Sequence, residues 1–184
     1  VAAGGYMEKI SLETWRWIVE LDLMSVIYGC RTFIPLMADQ PGGGHIVNMA
    51  SSAGIACLPE MSCYNVPKAG VISLSETLRL ELTPKNIGVT VVTPTFFQTN
   101  LMDQFKSPDK RQEDMANTFF EKSLVTVDKV AEHAYRRVEK KKLYAFCQPD
   151  AKLTWFLKRL TPELYFKIGG FLYKKEMYKK YFGF

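Results

Sequence analysis

The chain has 184 residues, 47% of them hydrophobic and 23% charged, with a net charge of +5. That balance is expected of one globular domain with a full core, and it excludes a low-complexity or largely disordered chain. Cys30, Cys57, Cys63 and Cys147 form no Cys-x-x-Cys pair and have no metal-ligand spacing with histidine, so they are read as free thiols in a reducing compartment.

In chain order, Ser11 ahead of Leu12-Glu13-Thr14-Trp15 is an expected helix N-cap, with Glu13 near the positive end of the helix dipole. A long, mostly apolar helix should follow to about Met37 and end at the Pro41-Gly42-Gly43-Gly44 turn. His45 to Ala50 reads as a short buried strand with Ser51 at its carboxyl end, and Ser62 to Leu82 as a second helix with Tyr64 and Lys68 near its start. Gly88 to Thr93 is the next strand. The stretch from Pro94 to Val125 is expected to be irregular and too long for an ordinary connection, the kind of segment that forms lids or binding loops. A helix from Val127 to Lys140, a strand from Leu143 to Cys147 and a helical tail complete the order. Residues 1–150 are assigned to one α/β unit and residues 151–184 to an extension.

Alternating helices and short buried strands predict a doubly wound parallel sheet covered on both faces. Ligands in such sheets bind beyond the carboxyl ends of the strands, where both Ser51 and Pro94 fall. No basic leader with an apolar core is evident, and no uninterrupted apolar run reaches about 18 residues. A cytoplasmic protein that does not span a membrane is expected.

The charge is lopsided. Residues 151–184 carry seven lysines and one arginine against two glutamates, a net of +6, and ten of the chain's 24 aromatic residues. Such a tail can pack on its own core with lysines reaching outward, pack on a second subunit, or touch an anionic membrane surface. Packing is the favoured reading, and peripheral membrane contact is the alternative. Nucleic-acid binding is not expected, because no recognition motif accompanies the charge. His45 and His133 are read as ordinary strand and helix residues.

Ser51, Tyr64 and Lys68, a hydroxyl, a phenol and an amine, read as a complete proton-handling set. Tyr64 and Lys68, four apart on a helix, share a face, and an ammonium beside a phenol favours the phenolate and lowers its pKa. A Tyr and Lys at this spacing arise often by chance; Ser51 at a strand end and the Pro94-to-Thr99 turn strengthen the reading.

With those residues, the chain resembles the short-chain dehydrogenase/reductase family. Gly44-His45-Ile46-Val47-Asn48-Met49-Ala50-Ser51-Ser52-Ala53-Gly54 is similar to that family's fifth strand, Tyr64-Asn65-Val66-Pro67-Lys68-Ala69-Gly70 to its catalytic helix, and Gly88 through Pro94 to its sixth strand. The resemblance implies a Rossmann-like fold and hydride transfer between an alcohol or ketone and NAD or NADP. It also implies Tyr64 as acid/base, Lys68 lowering its pKa and holding the nicotinamide ribose, and Ser51 binding the substrate oxygen. Tyr64, Lys68, Pro94, Phe97 and Thr99 would line the cofactor, and homodimers or homotetramers would form through the fourth and fifth helices.

Three departures accompany it. Asp22 stands where the family usually has an asparagine that completes a proton relay, so it is either a relay member or a surface-facing charge. Thr95 replaces the usual glycine after the sixth-strand proline. Val1-Ala2-Ala3-Gly4-Gly5 lies where the family leaves its fourth strand, so the glycine-rich nucleotide turn and the first strands are not in the sequence given, which is expected to bind dinucleotide poorly by itself. A non-catalytic interaction or membrane-surface protein is the alternative function. Phe96, Phe97, Leu101, Met102 and Phe105 are candidates for either an apolar substrate wall or a packed lid.

Overall fold

The computed structural model describes residues 1–176. Three parallel strands, β1 (Gly44–Met49), β2 (Ile87–Val92) and β3 (Tyr144–Ala145), lie in the order β1-β2-β3. β2 is central and buried at every position, as its β-branched run requires when both faces are covered. Ile87, Val89 and Val91 meet one helical layer, while Val92 meets the other through Val130 and Ala145. On β1, Ile46 and Asn48 are buried, whereas Val47 and Met49 are each 49% exposed, so the second face of the sheet is open at that edge.

The first layer holds α1 (Leu12–Val19), α2 (Ser25–Ala38) and α4 (Ser62–Glu81). Ser11 caps α1 by accepting from the Thr14 N–H at 3.1 Å. α1 and α2 are one continuous rod joined by a π-helical turn, Glu20–Met24, that contains the buried Asp22. A π turn is uncommon and frequently marks a functional position. By length and composition this rod is also apolar enough to cross a membrane, with a mean hydropathy of 1.3 over its best window. Its inner side nevertheless packs on the sheet through Cys30, Val26, Ile34 and Met37, and Asp22 faces inward. Asn48 of β1 donates to Ser75 of α4 at 3.0 Å and accepts from the Cys30 thiol at 3.6 Å, so one buried amide ties strand to both helices.

The connections position the site. Gly43, with φ +70°, adopts a conformation that other residues reach only under strain, and a Cβ there would sit 2.2 Å from the Asn86 carbonyl oxygen. α3 (Ala53–Ala56) follows Ser51 directly and crosses α4.

The Pro94–Val125 stretch departs from expectation. It contains a 3-10 turn, Asn100–Gln104, and a full helix, α5 (Lys110–Glu121), whose N-cap Asp109 accepts from the Arg111 N–H. Only Gln112 of α5 is buried. The helix is held by Phe96 stacked on Phe119 and edge-on to Phe120, a long-range aromatic contact that no local periodicity announces.

α6 (Val127–Glu139) covers β2 and β3. The tail forms α7 (Pro149–Leu160) and α8 (Pro162–Lys174), each opened by a proline in its first turn. The boundary expected after residue 150 falls inside α7. Trp155, Tyr165 and Tyr173 turn inward, but Phe156, Phe166 and Phe171 are at least half exposed, so packing on the chain's own core accounts for only part of the tail. Tyr178, Tyr181 and the Lys179-Lys180 pair, counted in the tail's expected pattern, lie outside the described residues.

Candidate active site

Tyr64 and Lys68 stand one turn apart on the buried side of α4, in a row that continues through Val71, Ile72, Ser75 and Leu78. Pro67 lies between them and withholds the N–H that the Cys63 carbonyl would otherwise receive. Ser51 arrives from the carboxyl end of β1. Its hydroxyl accepts from the Ala53 N–H at 3.1 Å and lies 3.5 Å from the Pro94 carbonyl oxygen, close enough to the Tyr64 phenol to lower its pKa. The Ser52 N–H donates to the same Pro94 carbonyl at 2.9 Å. The ends of β1 and β2 therefore bring Ser51, Tyr64 and Pro94 to one place.

Asp22 is buried and faces inward, which removes the surface-charge alternative. Its Oδ1 pairs with Lys68 Nζ at 3.4 Å, and its Oδ2 is buried without a hydrogen-bond partner. An uncompensated buried carboxylate oxygen is costly and marks an unfinished arrangement.

The phenol departs from the shift expected of a lysine neighbour. Burial drives the Tyr64 pKa well above its ordinary 10; the neighbouring Ser51 hydroxyl draws it partly down, and the Asp22 charge raises it again. Lys68 lies over the ring edge, its Nζ 5.6 Å from the centroid, while its charge is shared with Asp22. The net displacement is upward, against the lowering expected, because burial of the phenol outweighs the other influences and the Asp22 carboxylate adds to it.

Not every expected residue joins the cluster. Leu101 and Phe105 pack with Trp15, Trp17 and Met61 around the buried group containing Tyr64, Ile18 and Ala53. Phe97 instead packs under α6 with Val92 and Val130, so it does not line the trio, and Phe96 is committed to α5. Thr99 is exposed ahead of the 3-10 turn and makes no described contact with the trio. At the glycine-to-threonine departure, the Thr95 N–H donates to Gln148 Oε1 at 2.9 Å and the Gln148 amide donates to the Phe96 carbonyl, which closes that turn onto α7.

A family model described as short chain dehydrogenase matches residues 1–110. The chain belongs to that family. It is 30% identical over 169 residues to the probable oxidoreductase EphD of Mycobacterium tuberculosis, covering 88% of this chain and 28% of that protein. It is 33% identical over 102 residues to a cyclohexanol dehydrogenase of an Acinetobacter species, covering 55% of this chain and 40% of that protein. The crystal structure of a short chain dehydrogenase/reductase from Burkholderia phymatum in complex with NAD matches with a TM-score of 0.82 at 27% identity, over 89% of this chain and 64% of that one. The chain thus spans well under half the length of these two curated relatives.

The residues present fit the nicotinamide end of the family's dinucleotide. Tyr64, Ser51 and Lys68 supply clustered polar groups, and the unpartnered Asp22 Oδ2 shows a polar arrangement still open to a further donor. They do not supply a diphosphate cradle. An added Cβ at Gly4, Gly5 or Gly54 meets packed protein atoms within 3.4 Å, so these glycines serve close packing of the chain on itself.

One feature of the site had no signal in the sequence. Glu60, with φ +59° in the loop between α3 and α4, buries its carboxylate and ties together Arg111 and Gln112 of α5 and Tyr173 of α8, with Tyr173 Oη 2.7 Å and Arg111 Nη2 2.5 Å away. The partners lie 51 or more residues distant, beyond the reach of any spacing argument. Burial pushes this carboxyl up, but the hydrogen bonds from Tyr173, Gln112 and Arg111 and the guanidinium charge together hold it below its ordinary 4.5. A folded pKa below the unfolded one adds stability above pH 4.5, and that stability is lost as pH falls through the folded value. Glu60→Gln therefore lowers the thermal midpoint at neutral pH, by about 1–3 kcal/mol of stability, and flattens the acid limb of the midpoint-against-pH curve. Parallel curves for both proteins would contradict the assignment.

Proposed function

We propose that this chain is the catalytic half of a NAD- or NADP-dependent dehydrogenase acting on an apolar secondary alcohol or ketone. The observation that carries it is the meeting of Ser51, Tyr64 and Lys68 at the carboxyl ends of β1 and β2, inside an apolar surround of Trp15, Trp17, Met61, Leu101 and Phe105. The nicotinamide, when bound, supplies the hydride acceptor or donor.

The chain's own residues handle the proton. Ser51 holds the substrate oxygen, and Tyr64 Oη takes the hydroxyl proton during oxidation or returns it during reduction. Lys68 holds the nicotinamide ribose and steadies the phenolate, with Pro94 and Thr99 on the cofactor's flank. Asp22 fixes the Lys68 ammonium and moderates its charge; its free Oδ2 makes it the proposed next member of the proton relay. The apolar surround excludes water and favours a hydrocarbon-rich substrate. The open side of the α1–α2 rod, where Leu21, Tyr28, Phe33 and Leu36 are exposed, is the proposed contact of a homodimer or homotetramer.

Alcohol oxidation needs the phenolate, so a phenol displaced upward makes the oxidation rate climb with pH into the alkaline range. Asp22→Asn removes the negative charge that raises the Tyr64 pKa and moves the midpoint of that climb to lower pH. The measurement is kcat against pH with apolar secondary alcohols and either NAD or NADP, made on the full-length protein. Absence of turnover with both cofactors would end the proposal; a midpoint unmoved or raised in Asp22→Asn would remove Asp22 from the proton path.

A further inference from the structure

The tail helices are amphipathic in the reverse of the usual sense. α7 faces inward with Ala151, Trp155 and Lys158, whose Nζ donates to the Ile55 carbonyl at 2.7 Å. Its outward row is Leu153, Phe156, Leu157 and Leu160, spaced at i, i+3, i+4 and i+7 and between 44% and 63% exposed. α8 turns Tyr165 and Tyr173 inward by their hydroxyls, to the Ala56 carbonyl at 3.0 Å and to Glu60. Leu164, Ile168, Phe171 and Leu172, at i, i+4, i+7 and i+8, stay 39% to 57% exposed. Two consecutive helices thus spend their polar contacts on the protein and present hydrocarbon to the outside. Exposed apolar rows of this kind on two neighbouring helices mark an interaction site.

The charge around it selects the partner. Lys152, Lys167 and Lys174 are exposed on the same two helices and Lys175 just after the second, and residues 151–184 hold a net +6 while the remainder of the chain is close to neutral. Two copies meeting through these faces would bring like charges together, and lysine is depleted from subunit interfaces. Apolar rows flanked by lysines match an interfacial helix, which sinks its hydrocarbon face into the headgroup boundary while its lysines meet anionic lipid.

We propose that the outward faces of α7 and α8 dock on an anionic phospholipid bilayer, with Leu157, Ile168 and Phe171 entering the interface and Lys152, Lys167 and Lys174 meeting the headgroups. α7 rests its inward side on α3, which begins two residues after Ser51, so docking of the outward side sets the candidate active site about one helix diameter, roughly 10 Å, from a reservoir of apolar molecules. The proposal goes beyond the reaction and does not depend on it.

The test is co-sedimentation of the full-length protein with phosphatidylcholine vesicles, with and without phosphatidylserine, together with sedimentation velocity in the absence of lipid. The protein pellets with phosphatidylserine vesicles and is released by salt. Lys167→Ala and Lys174→Ala each lower the partition coefficient about fivefold, and Leu157→Ser combined with Ile168→Ser lowers it on the order of a hundredfold, with an unchanged thermal midpoint because both side chains are exposed. No binding to phosphatidylserine vesicles, or equal binding by the apolar variant, overturns the proposal. An apolar variant that loses a dimer while keeping its vesicle binding overturns it as well, and assigns the face to a second copy.

Discussion

Replacing Tyr64 with phenylalanine lowers kcat of the full-length protein by about 10²–10⁴-fold, the usual reach of a positioned general acid or base, and leaves the fold in place. The ring is 7% exposed, in a group with Ala3, Ile18, Ala53 and Cys63, and a phenyl ring keeps all of that packing. Only the phenol hydroxyl beside Ser51 is lost, a stability change on the order of 1 kcal/mol for one buried polar group. Lys68 and Asp22 keep their 3.4 Å pairing, so the nicotinamide end of the cofactor retains its partners and dinucleotide affinity changes little. Loss of turnover with binding retained separates proton transfer from folding and from cofactor capture. A variant that keeps most of its kcat contradicts the assignment of Tyr64.

Gly54→Ala produces the second large effect. α3 crosses α4 backbone to backbone at Lys68, the lysine of the proposed site, and an added Cβ at Gly54 would lie 2.6 Å from both the Ala69 nitrogen and the Lys68 carbonyl carbon. These are main-chain atoms and cannot swing aside. Overpacking of this kind costs about 1–3 kcal/mol, and it displaces Lys68 and the segment carrying Ser51 from each other. Misplacement of catalytic groups by about 1 Å costs roughly 10²-fold in rate. Gly169→Ala in α8 is the control, since nothing lies within 4 Å of its added Cβ, and it stabilises by about 0.4–1 kcal/mol. Thermal midpoints and kcat measured on both variants check the contrast. A Gly54→Ala protein as stable and active as its parent would show that α3 and α4 do not hold Lys68 in register.

Much of the site was legible because its signals are local. β1, β2 and α4 appear within one or two residues of their expected limits, since turn residues bound short β-branched runs and Tyr64 and Lys68 need only the period of one helix to share a face. Asp22 was visible as an oddity, but its inward orientation depends on the π turn at Glu20–Met24 and on a lysine 46 positions away. The direction of the Tyr64 shift was read from Lys68 alone and came out reversed, because burial and Asp22 together set it. α5 was missed because it buries only Gln112 and is held by Phe96, Phe119 and Glu60, contacts that exist only after folding. β3 is two residues long where five were expected, since only Tyr144 and Ala145 pair with β2.

Isotope labelling follows the hydride itself. Apolar secondary alcohols carrying deuterium on the carbinol carbon are incubated with the full-length protein and NAD or NADP, and the reduced cofactor is analysed by mass and proton NMR. The label is expected to pass from carbon to the nicotinamide ring, at a rate that falls by about two or more orders of magnitude in Tyr64→Phe. Reduced cofactor without deuterium, or labelled cofactor formed equally fast by Tyr64→Phe, would contradict the proposed reaction.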